Sequence, residues 1–263
     1  MIIQPIGGRG IITPGLGFIH PYAIQRISQH ETLGNDLNFF WCMEEASGDT
    51  ITDEVENWNG TLAGTTKPTR VTGKIGNGIQ FSDTTSTLNR IETSILSSSD
   101  WRSANGYSFV FWFNPNWATS GTGYDRVITK AGSSGADVTD IAIQQDSTNS
   151  KLAFYQCYST SYYSVISGTL TKKTWYLVIA QWNGTKIELF INNESQGTSD
   201  VNSINNNSTR KLLVGAIFDD KSTTKIQTST LLNGKVDEIG NWKRALTSDE
   251  RAFIYNGGAG RFY

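Results

Sequence analysis

Only one stretch of this chain reads as a helix, and it is short, so the remaining regular structure must be sheet. It lies in the closing segment, residues 231–256, LLNGKVDEIGNWKRALTSDERAFIYN. Asn233-Gly234 is a turn pair. Val236, Ile239 and Trp242 then mark an apolar strand that carries two adjacent acids, Asp237 and Glu238. Thr247-x-x-Glu250 is a capping box: the threonine oxygen takes one orphan helix N–H, and the glutamate reaches back to another. Phe253, Ile254 and Tyr255 supply the helix's apolar contacts. The helix should stop at Asn256-Gly257-Gly258, where glycine tolerates the left-handed geometry of a helix end.

Upstream, the apolar period is two. Phe39, Trp41 and Met43 alternate with Phe40, Cys42 and Glu44. Residues 107–113 put Tyr107, Phe109, Phe111 and Phe113 on one face and Val110 and Trp112 on the other, and Pro115 ends the strand. Val127-Ile128 and residues 141–143 are short strands. Residues 151–165 alternate with aromatics: Phe154, Tyr155, Tyr158, Tyr162 and Tyr163. Residues 175–182 and 186–192 flank Asn183-Gly184, a pair suited to the positive φ of a two-residue hairpin turn. Regular strands, polar turns and a single helix predict an all-β, antiparallel sandwich. Residues 50–64 read as a polar surface loop. Its oxygens invite calcium, but an EF-hand counted back from Gly60 would put Val55 at the first acidic ligand position.

A net charge of -2 offers no basic face to release counterions from phosphates, so a nucleic-acid partner is not expected. No window of about 18 apolar residues calls for a membrane span. The opening MIIQPIGGRG lacks the basic and apolar regions of a Sec signal peptide, which leaves export by another route, or release by lysis. The two cysteines, Cys42 and Cys157, are read as buried thiols, with a disulfide as the alternative. The two histidines, His20 and His30, match no zinc spacing with them and sit outside any plausible Ser-His-Asp set.

Residues 1–33 differ from the remainder, 34–263. Three of the five prolines are here, among isolated apolar residues that include Ile2, Ile3, Ile6, Ile11, Ile12 and Phe18. Such a segment forms neither a long helix nor a central strand. It orders only by lying on something, either its own domain or a neighbouring subunit. The neighbour is preferred here, because apolar arms commonly join subunits in shells and filaments. The expectation is an extended N-terminal docking arm that binds other copies of the chain, or a capsid or particle protein.

The closing segment resembles the end of laminin-G-like, or concanavalin A-like, jelly-roll domains, which finish with a G-x-[IV]-D-E-[IV] strand and a short helix ending in YN-x-G. Asp36-Leu37-Asn38-Phe39-Phe40-Trp41 resembles the family's first strand. Asn59-Gly60-Thr61-Leu62, residues 73–81 (GKIGNGIQF), residues 107–113 and residues 175–197 resemble later steps, in family order. The resemblance implies a jelly-roll β-sandwich with one short C-terminal helix.

Glucanases of that fold carry E-x-D-x-x-E on one strand, with the outer carboxylates as nucleophile and acid. The matching positions here are Lys235, Asp237 and Gly240, so both outer glutamates are missing. Adjacent strand residues point to opposite faces, which also separates Asp237 from Glu238. The chain is therefore expected not to be an enzyme. The resemblance also implies one structural calcium, held by Asp237 with carbonyls near Gly76 or Gly78; the alternative is a buried acid that bonds turn amides. Aromatic rings suit the apolar face of a sugar. Trp117 and Tyr124, in a Gly/Ser/Thr loop, and Tyr158, Tyr162 and Tyr163, around a Ser-Thr turn, are the carbohydrate-binding candidates. The alternative is that these rings cap the sandwich or bury against a neighbour. The resulting expectation is a lectin-like protein of a virion or other extracellular particle surface, of capsid-decoration or fibre type, that displays its sandwich to cell-surface glycan. A free carbohydrate-binding lectin is the alternative, and a glycosidase a more distant one.

Overall fold

The structure, a computed structural model, describes residues 30–82, 88–117, 124–130, 140–146, 150–158, 161–204, 210–219 and 224–261. In chain order the strands are β1 (Leu37–Trp41), β2 (Thr50–Ile51), β3 (Gly60–Ala63), β4 (Thr69–Thr72), β5 (Asn77–Phe81), β6 (Arg90–Glu92), β7 (Tyr107–Pro115) and β8 (Arg126–Lys130). They continue as β9 (Ile141–Gln145), β10 (Lys151–Tyr158), β11 (Ser161–Thr169), β12 (Tyr176–Trp182), β13 (Lys186–Ile191), β14 (Glu194–Asp200), β15 (Leu213–Val214) and β16 (Gly234–Trp242), before helix α1 (Ser248–Tyr255). One sheet runs β14-β13-β12-β7-β16-β5-β4, with β1 also paired to β16. The other runs β11-β10-β9-β8-β15-β6-β3-β2. Neighbouring strands are antiparallel, and the two sheets pack as a jelly-roll sandwich.

β7 shows why the sheets stack. Its Tyr107, Phe109, Phe111 and Phe113 enter the core between the sheets with Phe39, Trp41, Phe154 and Val178. Its Val110 and Trp112 face the other way, into a second cluster with Phe40, Leu177, Trp242 and Ile254. α1 therefore covers the outer face of the first sheet. Thr247 and Glu250 form the expected capping box, and Asn256 ends the helix at φ 47°. Cys42 and Cys157 are buried thiols that are not joined in a disulfide.

Three local expectations change. The hairpin turn between β12 and β13 is Gly184-Thr185, because Asn183 N–H already pairs with the Lys186 carbonyl at 3.1 Å. Gly184 supplies the positive φ, 96°, that such a turn needs at its first position. The next hairpin, β13–β14, turns on Asn192-Asn193, both at positive φ. Residues 50–64 are not a bare surface loop, since β2 and β3 lie within them. Their organiser is buried Asp53, whose carboxylate accepts the N–H groups of Phe40, Val55, Asn57 and Trp58 at 2.8–3.1 Å. Finally, β16 is not regular where its acids lie. A bulge separates Asp237 from Gly240, and Glu238 takes φ 51°, so simple alternation does not describe this pair.

The assembly candidates Ile2, Ile3, Ile6, Ile11, Ile12 and Phe18 lie outside the described residues. Residues 30–33, placed in the arm from sequence, lie on their own sandwich. Leu33 is fully buried, and its carbonyl accepts the Trp242 indole N–H at 2.7 Å. Among the described residues no helix is long and apolar enough to cross a membrane.

Candidate functional site

The outer face of the second sheet, at its β9-β10-β11 end, gathers aromatic and polar side chains. Leu152, Phe154 and Val165 point into the core, so their strand neighbours must point out. Across these strands Ala142 pairs with Tyr155, and Tyr155 with Ser164. Cys157 pairs with Tyr162, and Ala153 lies between Gln144 and Ile166. Diagonal neighbours in such a ladder sit roughly 7–8 Å apart, within reach of ring side chains. Tyr155 is thus flanked by Tyr162 and Ile166 on one side and by Gln144 on the other, over a floor of Ala142, Ala153 and Cys157. Tyr162 is 56% exposed and Ile166 41%.

Arg126, at the start of β8, pairs with Gln144 and closes this face. Its guanidinium carbon lies 5.5 Å from the centre of the Tyr124 ring, and Tyr124 is 38% exposed. Burial pulls the Arg126 pKa down to about 10, against the opposing pull of Tyr124 and Tyr155. Burial likewise raises Tyr155, helped by the nearby Asp146 carboxylate and Tyr124. Flat rings, a guanidinium, an amide and a carboxylate around small residues can stack on a sugar face and hold its hydroxyls.

Of the five aromatic candidates, the structure brings Tyr124 and Tyr162 to this face. Trp117 is a correction: it is fully buried, with its ring 5.3 Å from Phe113. Hydrogen bonds from Asn116 to Asn233 pin its loop to the start of β16 and carry the indole inward. Tyr163 is another. It pairs with Gln156 on the inward side of β11 and packs against the core. Tyr158 is 43% exposed but shares the inward parity of Phe154, so it does not join Tyr162. Tyr155, Arg126 and Gln144 were missed. Period-two alternation around Phe154 marks Tyr155 as outward, and a lone arginine before Val127-Ile128 is the signal for Arg126.

Asp237 sits elsewhere, fully buried beneath the β4–β5 turn. Its Oδ2 accepts the N–H groups of Lys74 and Ile75 at 2.8 and 2.9 Å. That is the turn-amide role. The Gly76 carbonyl accepts the Gly73 N–H at 3.0 Å, and Gly78 lies in β5 against the Val236 carbonyl. Burial lifts the Asp237 pKa to about 7; the turn amides oppose this, and Glu44 adds to it. Oδ1 is buried without a hydrogen-bond partner, and with Glu44 nearby that orphan oxygen fits a hard cation. Among the described residues no group of three or more His, Cys, Asp or Glu is placed to hold a metal. A surface cleft of about 490 Å³, lined by Arg90, Asp219, Lys225, Ile226 and Gln227 among others, has no aromatic ring in its lining.

A laminin-G-type family model, described as the concanavalin A-like lectin/glucanases superfamily, matches residues 84–250, more than half of the chain. The chain belongs to that superfamily. Several solved structures share its fold at low identity. The binding domain of Paraclostridial Mosquitocidal Protein 1 superposes with a TM-score of 0.61 at 16% identity, over 85% of this chain and 52% of that one. Domain 4 of AbnA, a GH43 extracellular arabinanase from Geobacillus stearothermophilus, solved with arabinotriose, gives 0.58 at 14%, over 82% and 96%. Trypanosoma rangeli sialidase, solved with 2,3-difluorosialic acid, gives 0.61 at 13%, over 86% and 34%. This superfamily member thus spans about half of the mosquitocidal domain and a third of the sialidase. No curated protein matches it.

Proposed function

We propose that this chain is a non-catalytic, lectin-like module that binds glycan on the outer face of β9-β10-β11. The observation that carries this reading is the convergence of Tyr124, Tyr155 and Tyr162 with Arg126 and Gln144 on one sheet face. The arabinotriose complex of the AbnA domain lends support, since a sandwich of this shape there meets a sugar. The absence of catalysis is inferred from the acids: Asp237 is committed to turn amides, and Glu238 is buried in the bulge beside it. Glycan-array screening followed by calorimetry tests the reading. Tyr155→Ala and Tyr162→Ala should each weaken binding by about 3- to 10-fold, the loss expected for one aromatic contact. Retention of no glycan, or variants that bind as well as the parent, would overturn it.

Two further roles belong to this proposal. A calcium ion would be held by Asp237 and Glu44, and its charge would neutralise the buried carboxylate. Attachment to a capsid or fibre on a virion or particle surface, or to other copies of the chain, would use residues 1–29. Deleting those residues should abolish assembly and leave sugar binding intact.

A further inference from the structure

Arg126 differs from the arginines that form ion pairs. Arg70 and Arg244 meet Glu45 and Glu250 at 2.9 and 2.6 Å, and Arg90 meets Glu92 at 2.5 Å. Arg126 pairs with no carboxylate among the described residues, although its Nε is buried without a hydrogen-bond partner. Its neighbours are instead the Tyr124 ring at 5.5 Å, the nearby Tyr155, and Gln144 across the ladder. A guanidinium partly withdrawn from water, with its Nε buried and no counter-charge beside it, is costly, and that burial is the main cause of the fall in its pKa. Its planar fork matches a carboxylate with two parallel hydrogen bonds.

We propose that the ligand of this face is an acidic sugar whose carboxylate is received by Arg126, while its ring lies against Tyr124 and Tyr155. This rests on the glycan reading above. Asp146, 8% exposed, lies close enough to Tyr155 to affect its ionisation. Its negative charge repels a second anionic group, so the site takes one carboxylate rather than a densely charged polyanion.

Calorimetry on the full chain with matched probes tests this: galacturonate oligomers, their methyl esters, the neutral galactose oligomers, sialyllactose against lactose, and sulfated galactose oligomers. The free acids should bind at least about 10-fold tighter than esters or neutral sugars, the size expected for a charge-assisted hydrogen bond. Arg126→Gln should bring that ratio near one, and Arg126→Lys should keep part of it. Thermal melting checks that each variant is folded, and the comparison of acid with ester in the unaltered chain decides the matter if one is not. Esters or neutral sugars binding as well as the acids would overturn the acidic-sugar assignment and leave the glycan reading standing. Sulfated sugars binding more tightly than carboxylates would overturn the carboxylate. No binding by any probe would overturn both.

Discussion

Asp237 shows how one side chain can be informative about a fold and uninformative about its function. Its carboxylate joins β16 to the β4–β5 turn through the Lys74 and Ile75 amides. Replacing it with alanine strands both buried N–H groups and should cost about 1–3 kcal/mol, read by denaturant unfolding. Its pKa, about 7 in the fold against an ordinary 3.8, means that the folded protein holds the extra proton between those values. The stability it contributes is complete below about pH 4 and is lost as pH rises through 7. Asp237→Asn should flatten that slope. If a cation pairs with Oδ1, added calcium should raise the melting temperature of the parent and not of Asp237→Asn; equal melting curves with calcium and with chelator would remove the calcium role. Its acidic nature was plain in the sequence. Its surroundings were not, because the bulge at Glu238 breaks the alternation from which facing is read.

Helix α1 was legible in nearly every detail, because capping boxes and left-handed ends are local chemistry. What the sequence did not show is that its cap is also a tertiary joint. Glu250 receives two hydrogen bonds from Arg244, at 2.6 and 2.7 Å, one from the Thr32 hydroxyl at 2.6 Å, and the Thr247 N–H at 2.8 Å. Burial alone would raise its pKa, but these partners outweigh it and hold the group down at about 2. The stabilisation is present above the unfolded value near 4.5 and is lost as pH falls through 2. Acid titration followed by circular dichroism should show a steeper loss for the parent than for Glu250→Gln. Thr247→Ala should cost about 1 kcal/mol, as loss of an N-cap does. The hairpins are a second case. Asn183-Gly184 announced a turn, yet the side chain of Asn183, accepting from the Thr185 and Lys186 N–H groups, shifts that turn one residue onward.

Across the molecule, the start of the described chain is stitched to its end. Leu33 is buried beside Trp242, the Arg244 guanidinium bonds the carbonyls of Thr32 and Asn35, and His30 lies edge-on to Phe253 with 5.1 Å between ring centres. Residues 30–36 therefore help seal the outer face of the first sheet, together with α1. Leu33→Ala should cost about 2–5 kcal/mol in chemical denaturation, the range for emptying a buried leucine site. A cost under 1 kcal/mol would show that this segment is not part of the sandwich. The β9-β10-β11 end of the second sheet, by contrast, leaves Tyr162 and Ile166 in solvent, and so the proposed binding face falls there.

The order of the chemistry along the chain determined the sheet class, both faces of β7, the capped helix and the lack of a paired-carboxylate motif, since each follows from residues close together in sequence. The tertiary structure alone decided which aromatics meet. Trp117 was drawn inward by a loop pinned to Asn233, more than a hundred residues away. Tyr124, Arg126, Tyr155 and Tyr162 became neighbours only when β8 to β11 paired in register. Local patterns fix which face a side chain takes on its own strand, whereas a site needs strands distant in sequence to present those faces together.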